Sequence, residues 1–148
     1  MRKSQPKTLN LKAIVKNRNV MLLVDFDNSH NCLDINVTKQ LNFFVYSTKD
    51  LTIMITDGQR VNAIGRSCKV SIKMQELELQ RGFHSLPLNG MVMVLGVKWL
   101  MQLGTYSTNL EEQFMEFKLQ GQHYNMYGGE GSTLKKDDVH LMKCQKHR

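Results

Sequence analysis

Two carboxylates, Asp25 and Asp27, follow directly on an apolar run, Met21 to Val24, and lead into the polar turn Asn28-Ser29-His30-Asn31. A short apolar run bounded by turn residues is the pattern of a buried strand. A carboxylate at the end of such a strand sits at the edge of a hydrophobic core. There it costs free energy unless it is hydrogen-bonded or at work as an acid or base. On spacing alone the stretch also reads as an acidic turn after a strand, and the residues leave both readings open.

Other reactive side chains carry less. His140, Cys144 and His147 are spaced to share a helix face, as metal ligands would be. A zinc site wants four ligands with further hydrogen-bonded support, and this segment is terminal and charged, so no metal and no cofactor is assigned. Cys32, Cys68 and Cys144 are odd in number and lack finger spacing, which fits a reducing, intracellular compartment (cytoplasmic or nuclear) better than a disulfide framework. Trp99 and the ten methionines read as core material.

The elements that position the carboxylates are strands. Residues 8–15 alternate apolar and polar, and Lys16 to Asn19 offer a turn, so a hairpin delivers Asp25. Asp34 can cap a short helix over Ile35 to Leu41, with Val37 and Leu41 on one face. Leu51 to Thr56 reads as a strand before the tight-turn pair Asp57-Gly58. Val70 to Met74 and Leu77 to Leu79 form a second hairpin about Gln75-Glu76. Met91 to Leu95 is another buried strand, Val97 to Leu103 a short helix stopped by Gly104, and Met115 to Leu119 a final strand turning at Gln120 to Gln122. Many short strands with two brief helices predict an all-β, small closed barrel.

The segment V-D-x-x-x-S-H-N-x-L-D over residues 24–34 resembles the active-site segment of the retropepsin-like aspartic proteases of plant Ty3/gypsy-type retrotransposon polyproteins. Leu86-Pro87-Leu88 and Val94 to Leu100 resemble that family's L-P-L and V-L-G-x-x-W-L segments in the same order. The likeness spans roughly residues 7–128. It implies a retropepsin-like barrel that works as a homodimer, two aspartates sharing a proton to activate water on a peptide or polyprotein substrate. Aligned on Ser29-His30-Asn31, the catalytic residue is Asp25; a slipped register would use Asp27. Phe26, Asp27, Asn28, Ser29, His30 and Asn31 form the active-site loop, Asp57-Gly58 the flap, and Val94-Leu95-Gly96 the element behind the loop.

The chain departs from the family's D-[ST]-G, which reads Asp25-Phe26-Asp27 here. Phe26 cannot supply the bracing hydroxyl, and Asp27 adds bulk and charge where the family has glycine. Val92 and Thr108-Asn109 depart at two further marked positions. These changes imply weak or absent catalysis, and a non-catalytic dimerisation module is the alternative.

Length and composition fit one domain: a basic arm at 1–6, the barrel at 7–128 and a basic tail at 129–148. No stretch reaches membrane-span length. The net charge of +7 concentrates at the ends, +6 in residues 1–19 and +3 in 133–148, which leaves the middle at −2. Any nucleic-acid attraction would therefore lie in the flanks. Asn36-Val37-Thr38 matches a glycosylation sequon and is read as incidental.

Overall fold

The N-terminal alternation builds β1 (Thr8–Val15), which buries Leu9, Leu11, Ala13 and Val15 on one face. Lys16 and Asn17 both take positive φ, 50° and 64°, the conformation that matches a two-residue turn to strand twist. The chain returns as β2 (Arg18–Asp25), paired from Val15↔Arg18 to Thr8↔Asp25. The turn is therefore two residues, shorter than the expected 16–19, because pairing extends to Arg18. The computed structural model describes residues 8–48, 51–54 and 58–129.

Next come β3 (Cys32–Asp34) and α1 (Ile35–Gln40). Asp34 caps the helix as expected: Oδ2 accepts from the N–H groups of Asn36 and Val37 at 3.1 and 3.4 Å. Its Oδ1 also accepts from the Leu88 N–H at 2.9 Å. Thr38 and Leu41 are the buried residues of this stretch, while Val37 is half-buried. Then follow β4 (Tyr46–Ser47), β5 (Thr52–Met54), β6 (Arg60–Asn62), β7 (Gly65–Met74) and β8 (Leu77–Leu86). The chain ends its described part with β9 (Met93–Leu95), α2 (Val97–Leu100), β10 (Tyr106–Asn109), β11 (Phe114–Leu119) and β12 (Gln122–Tyr127).

Six strands run β1-β2-β9-β3-β8-β7, and β7 closes back onto β1 through Ile14↔Lys73. Closure removes the sheet edges that would otherwise invite pairing with other chains. The fold is the expected all-β closed barrel with two short helices. β9 wedges between β2 and β3, parallel to the first and antiparallel to the second. The strands on either side of the Asn28–Asn31 turn are thus held by a segment from far along the chain.

The barrel is filled by Leu9, Leu11, Leu22, Val24, Leu33, Phe83, Leu95 and Trp99, all 0–1% exposed. Each such side chain contributes about 1.5–3 kcal/mol by leaving water. A second cluster, Cys32, Ile53, Leu86, Leu88 and Val94, lies on the other face of the sheet, covered by the β5–β6 hairpin. Phe117 of the β10-β11-β12 sheet meets Trp99 edge-on at 5.9 Å. Gln113 clasps that sheet to β1, accepting from the Asn10 N–H at 2.7 Å and donating to the Thr8 carbonyl at 3.0 Å.

Several boundaries differ from expectation. The Gln75-Glu76 hairpin is longer than 70–79, with an irregularity between Ser67 and Val70. The 91–95 strand begins at Met93, and the helix expected to reach Leu103 ends at Leu100. Met115 to Leu119 is not the final strand, since β12 follows it; only Met126 of β12 is buried, so it carries little alternation. β10, mostly polar and exposed, gave no strand signal either. Among the described residues no helix is long and apolar enough to cross a membrane.

Candidate active site

Because Leu22 and Val24 face the barrel interior, alternation sends Leu23 and Asp25 to the opposite face, under the β5–β6 hairpin. Asp25 is 1% exposed. Its Oδ1 accepts from the Asp27 N–H at 2.9 Å, while Oδ2 is buried with no hydrogen-bond partner among the described residues. Burial pushes the carboxyl above its ordinary range; the Asp27 N–H draws it part of the way down, and the Asp27 charge adds to the rise. A carboxyl so placed favours the protonated form that a shared-proton dyad needs.

Asp27 differs in kind. Strand β2 ends at Asp25, so strand alternation, which would have put Asp27 on the same side, does not reach Asp27, which is exposed. Phe26 is half-buried, its ring 5.9 Å from that of Tyr106 in β10.

Two asparagines shape the turn. Asn28 is buried; its Oδ1 accepts from the His30 N–H at 3.0 Å and its carbonyl from the Val97 N–H at 2.7 Å. Asn31 Oδ1 accepts from the Gly96 N–H at 2.9 Å, and its carbonyl accepts from the His84 N–H at 2.9 Å. Val94, Leu95 and Gly96 pass behind the turn, fully buried. A Cβ on Gly96 would stand 2.3 Å from the Asn28 carbonyl oxygen and 2.6 Å from that of His30, so only glycine fits this crossing.

Ser29 is exposed, with Oγ 2.8 Å from His30 Nδ1. The His30 and His84 rings meet edge-on at 5.3 Å. Burial and Lys98 lower the His30 imidazole; burial, His30, Arg66 and Lys98 lower that of His84 to about 4. Cys32, beneath them, is pushed up to about 12 by burial and by Asp25, against a smaller opposing hydrogen bond from the Asn28 side chain. It is an inert thiol. His84 and Arg66 escaped the sequence reading because each sits singly in a strand; only the pairing of β7 with β8 brings them together.

Gly58 lies between β5 and β6 with φ +74°, as a tight turn requires, while Asp57 is outside the described residues. His140, Cys144 and His147 also lie outside them, and the described residues hold no cluster of three metal-ligating side chains. Val92 accepts from the Asp34 N–H through its carbonyl, and Thr108 and Asn109 make hydrogen bonds within the β10–β11 turn. A concavity of about 740 Å³ opens at the opposite end of the β1–β2 hairpin, against Ile14, Lys73 and Tyr124, and Asp25 has no part in its wall.

No protein-family model and no curated protein matches the sequence. Solved structures do. The chain is similar to the retroviral protease-like domain of Ddi1 from Leishmania major, at TM-score 0.63 and 11% identity, covering 85% of this chain and 98% of that one. It is also similar to EIAV protease complexed with the inhibitor HBY-793, at TM-score 0.54 and 15% identity, covering 74% of this chain and all of that one (100%). Both neighbours match over nearly their whole length. The chain has the retropepsin-like aspartic protease fold.

Proposed function

We propose that the chain is the aspartic endopeptidase domain of a retrotransposon polyprotein of the Ty3/gypsy type, spanning residues 7–128 between a basic arm and a basic tail. Two copies meet about a two-fold axis, and each contributes Asp25. One aspartate takes a proton from water while its protonated mate polarises the scissile carbonyl. The observation that carries this reading is Asp25 itself: buried, Oδ2 without a partner among the described residues, and facing the side that the β5–β6 hairpin covers. The resemblance around Ser29-His30-Asn31 supports the same register. An intracellular, reducing location is part of the reading, and nucleic acid would engage only the basic ends.

Phe26 and Asp27 make the domain a poor catalyst in this reading. The experiment is peptide cleavage at mildly acidic pH with the chain as it stands, with Phe26→Ser/Asp27→Gly, and with Asp25→Asn added to that pair. Activity that appears in the restored pair and vanishes with Asp25→Asn supports both the register and the impairment. Cleavage by the unaltered chain that Asp25→Asn leaves intact ends the reading.

A second reading is favoured by one contact. Phe26 packs on Tyr106 of its own chain and so offers nothing polar to a partner. A dimerisation module that keeps the barrel without chemistry would show self-association and no cleavage in any of these variants.

A further inference from the structure

Side chains that face one side of the sheet can be followed from strand to strand. Leu23 pairs with Val94, Val94 with Cys32, Cys32 with His84, and His84 with Arg66, so one row crosses β2, β9, β3, β8 and β7. Directly opposed residues project to the same face. Asp25, two residues beyond Leu23, therefore shares that face with His84 and Arg66. The middle of the row is apolar and lies under the β5–β6 hairpin. Its β8–β7 end is cationic.

We propose that this end is an oxyanion subsite of the cleft, built from Ser29, His30, His84 and Arg66 with Lys98 at its rim, and that it takes the carboxylate of an acidic side chain in a bound peptide. The proposal rests on the endopeptidase reading for its peptide and on four observations for its chemistry. His30 and His84 are in edge contact at 5.3 Å. The Ser29 hydroxyl is exposed, with Oγ 2.8 Å from His30 Nδ1. The Arg66 guanidinium lies across Gly82, where a Cβ would come within 2.6 Å of its Cζ. His84 Nδ1 is buried and has no hydrogen-bond partner among the described residues.

The charges acting on the two imidazoles are all cationic: Lys98 on His30, and His30, Arg66 and Lys98 on His84. Like charges gathered with no counter-ion among the described residues are held at a cost that a bound anion relieves. The groups facing the pair are Arg66 and Cys68 from β7, Cys32 from β3, Lys98 from α2 and, further along the row, Asp25 from β2. Asp25 is the one carboxyl in this set and lies at the far end of the row; Cys32 stays protonated, and the Cys68 sulfur accepts from Arg66 Nη1 at 3.6 Å.

The test uses the full chain and two kinds of probe. Inorganic phosphate alone, followed by the imidazole signals of His30 and His84, should shift both saturably and raise both titration midpoints. Extended peptides differing only in one Glu or Gln should differ in affinity by about tenfold in favour of Glu, the scale of one charge-assisted hydrogen bond. Phosphate should compete with the Glu peptide. Arg66→Gln should lower the Glu preference, as should His84→Gln, and circular dichroism checks that each remains folded. Equal binding of the two peptides, unmoved imidazole signals, or a preference that survives Arg66→Gln overturns the subsite. Phosphate binding with neither peptide bound overturns the peptide as its occupant. Cleavage by the Phe26→Ser/Asp27→Gly variant that depends on Asp25 but ignores Glu against Gln sinks the subsite alone, whereas phosphate and Glu-peptide binding with no cleavage even in that variant sinks the peptidase reading alone.

Discussion

Asp25 is buried with one oxygen unpartnered among the described residues, so raising the pH asks the fold to hold a charge that water would hold better. A carboxyl whose folded value is raised contributes stability that is complete below its unfolded value and is lost as pH climbs through the folded one. Asp25→Asn keeps the shape and removes the charge. Thermal melting should therefore show the variant more stable than the parent at pH 7 and no different near pH 3; a less stable variant at pH 7 would mean that the ionised carboxylate has a partner. The imidazoles have the opposite sign. With His30 and His84 both lowered, their contribution is present above the ordinary histidine value and is lost as pH falls from about 6.5 toward 4. His84→Gln should flatten that acid-side loss, read as a melting temperature that falls less between pH 7 and pH 5 than in the parent.

At the scale of elements, the Asn31 side chain fastens the polar turn to Gly96 through one buried hydrogen bond. Asn31→Ala would leave the buried Gly96 N–H without its acceptor and should cost about 1–3 kcal/mol in denaturant unfolding. Asn31→Asp, which keeps the acceptor, should recover part of that loss. How much of this was legible beforehand depends on the element. The β1–β2 hairpin, the Asp34 cap and the Gln75-Glu76 turn were readable because alternation and turn chemistry are local. β3 and β10 were not: Cys32 to Asp34 is too short to show a period, and Tyr106 to Asn109 is largely exposed on both sides. The Asp25 segment was found through its resemblance. The basic group at His84 and Arg66 was beyond reach, because strand register, which no local pattern encodes, creates it.

For the whole molecule the decisive quantity is association. A single chain supplies one segment of this kind, so the proposed chemistry requires two. Sedimentation should show a dimer by high micromolar concentration, and a stable monomer there would leave Asp25 without its mate. The charge distribution makes a separate expectation: any nucleic-acid binding should weaken steeply as salt rises, through release of bound counterions. It should largely disappear when residues 1–6 and 133–148 are removed, a change that spares the barrel. Binding undiminished by that truncation would move the attraction onto the folded face.

The crossing of β9 between β2 and β3 also fixes an order of events. The turn that carries Asp25 emerges early in synthesis, yet its acceptors at Asn28 and Asn31 find their donors only when Gly96 and Val97 arrive. Until then β2 and β3 flank an unfilled slot, and two edges wait for one strand. Pairings so distant in sequence close slowly. A nascent chain halted before residue 93 should therefore hold the β1–β2 and β7–β8 hairpins while the Asp25 loop stays open to a probing protease. Release to full length should protect it in one step. Under the proposed function, a site assembled so late is kept from premature action by its topology.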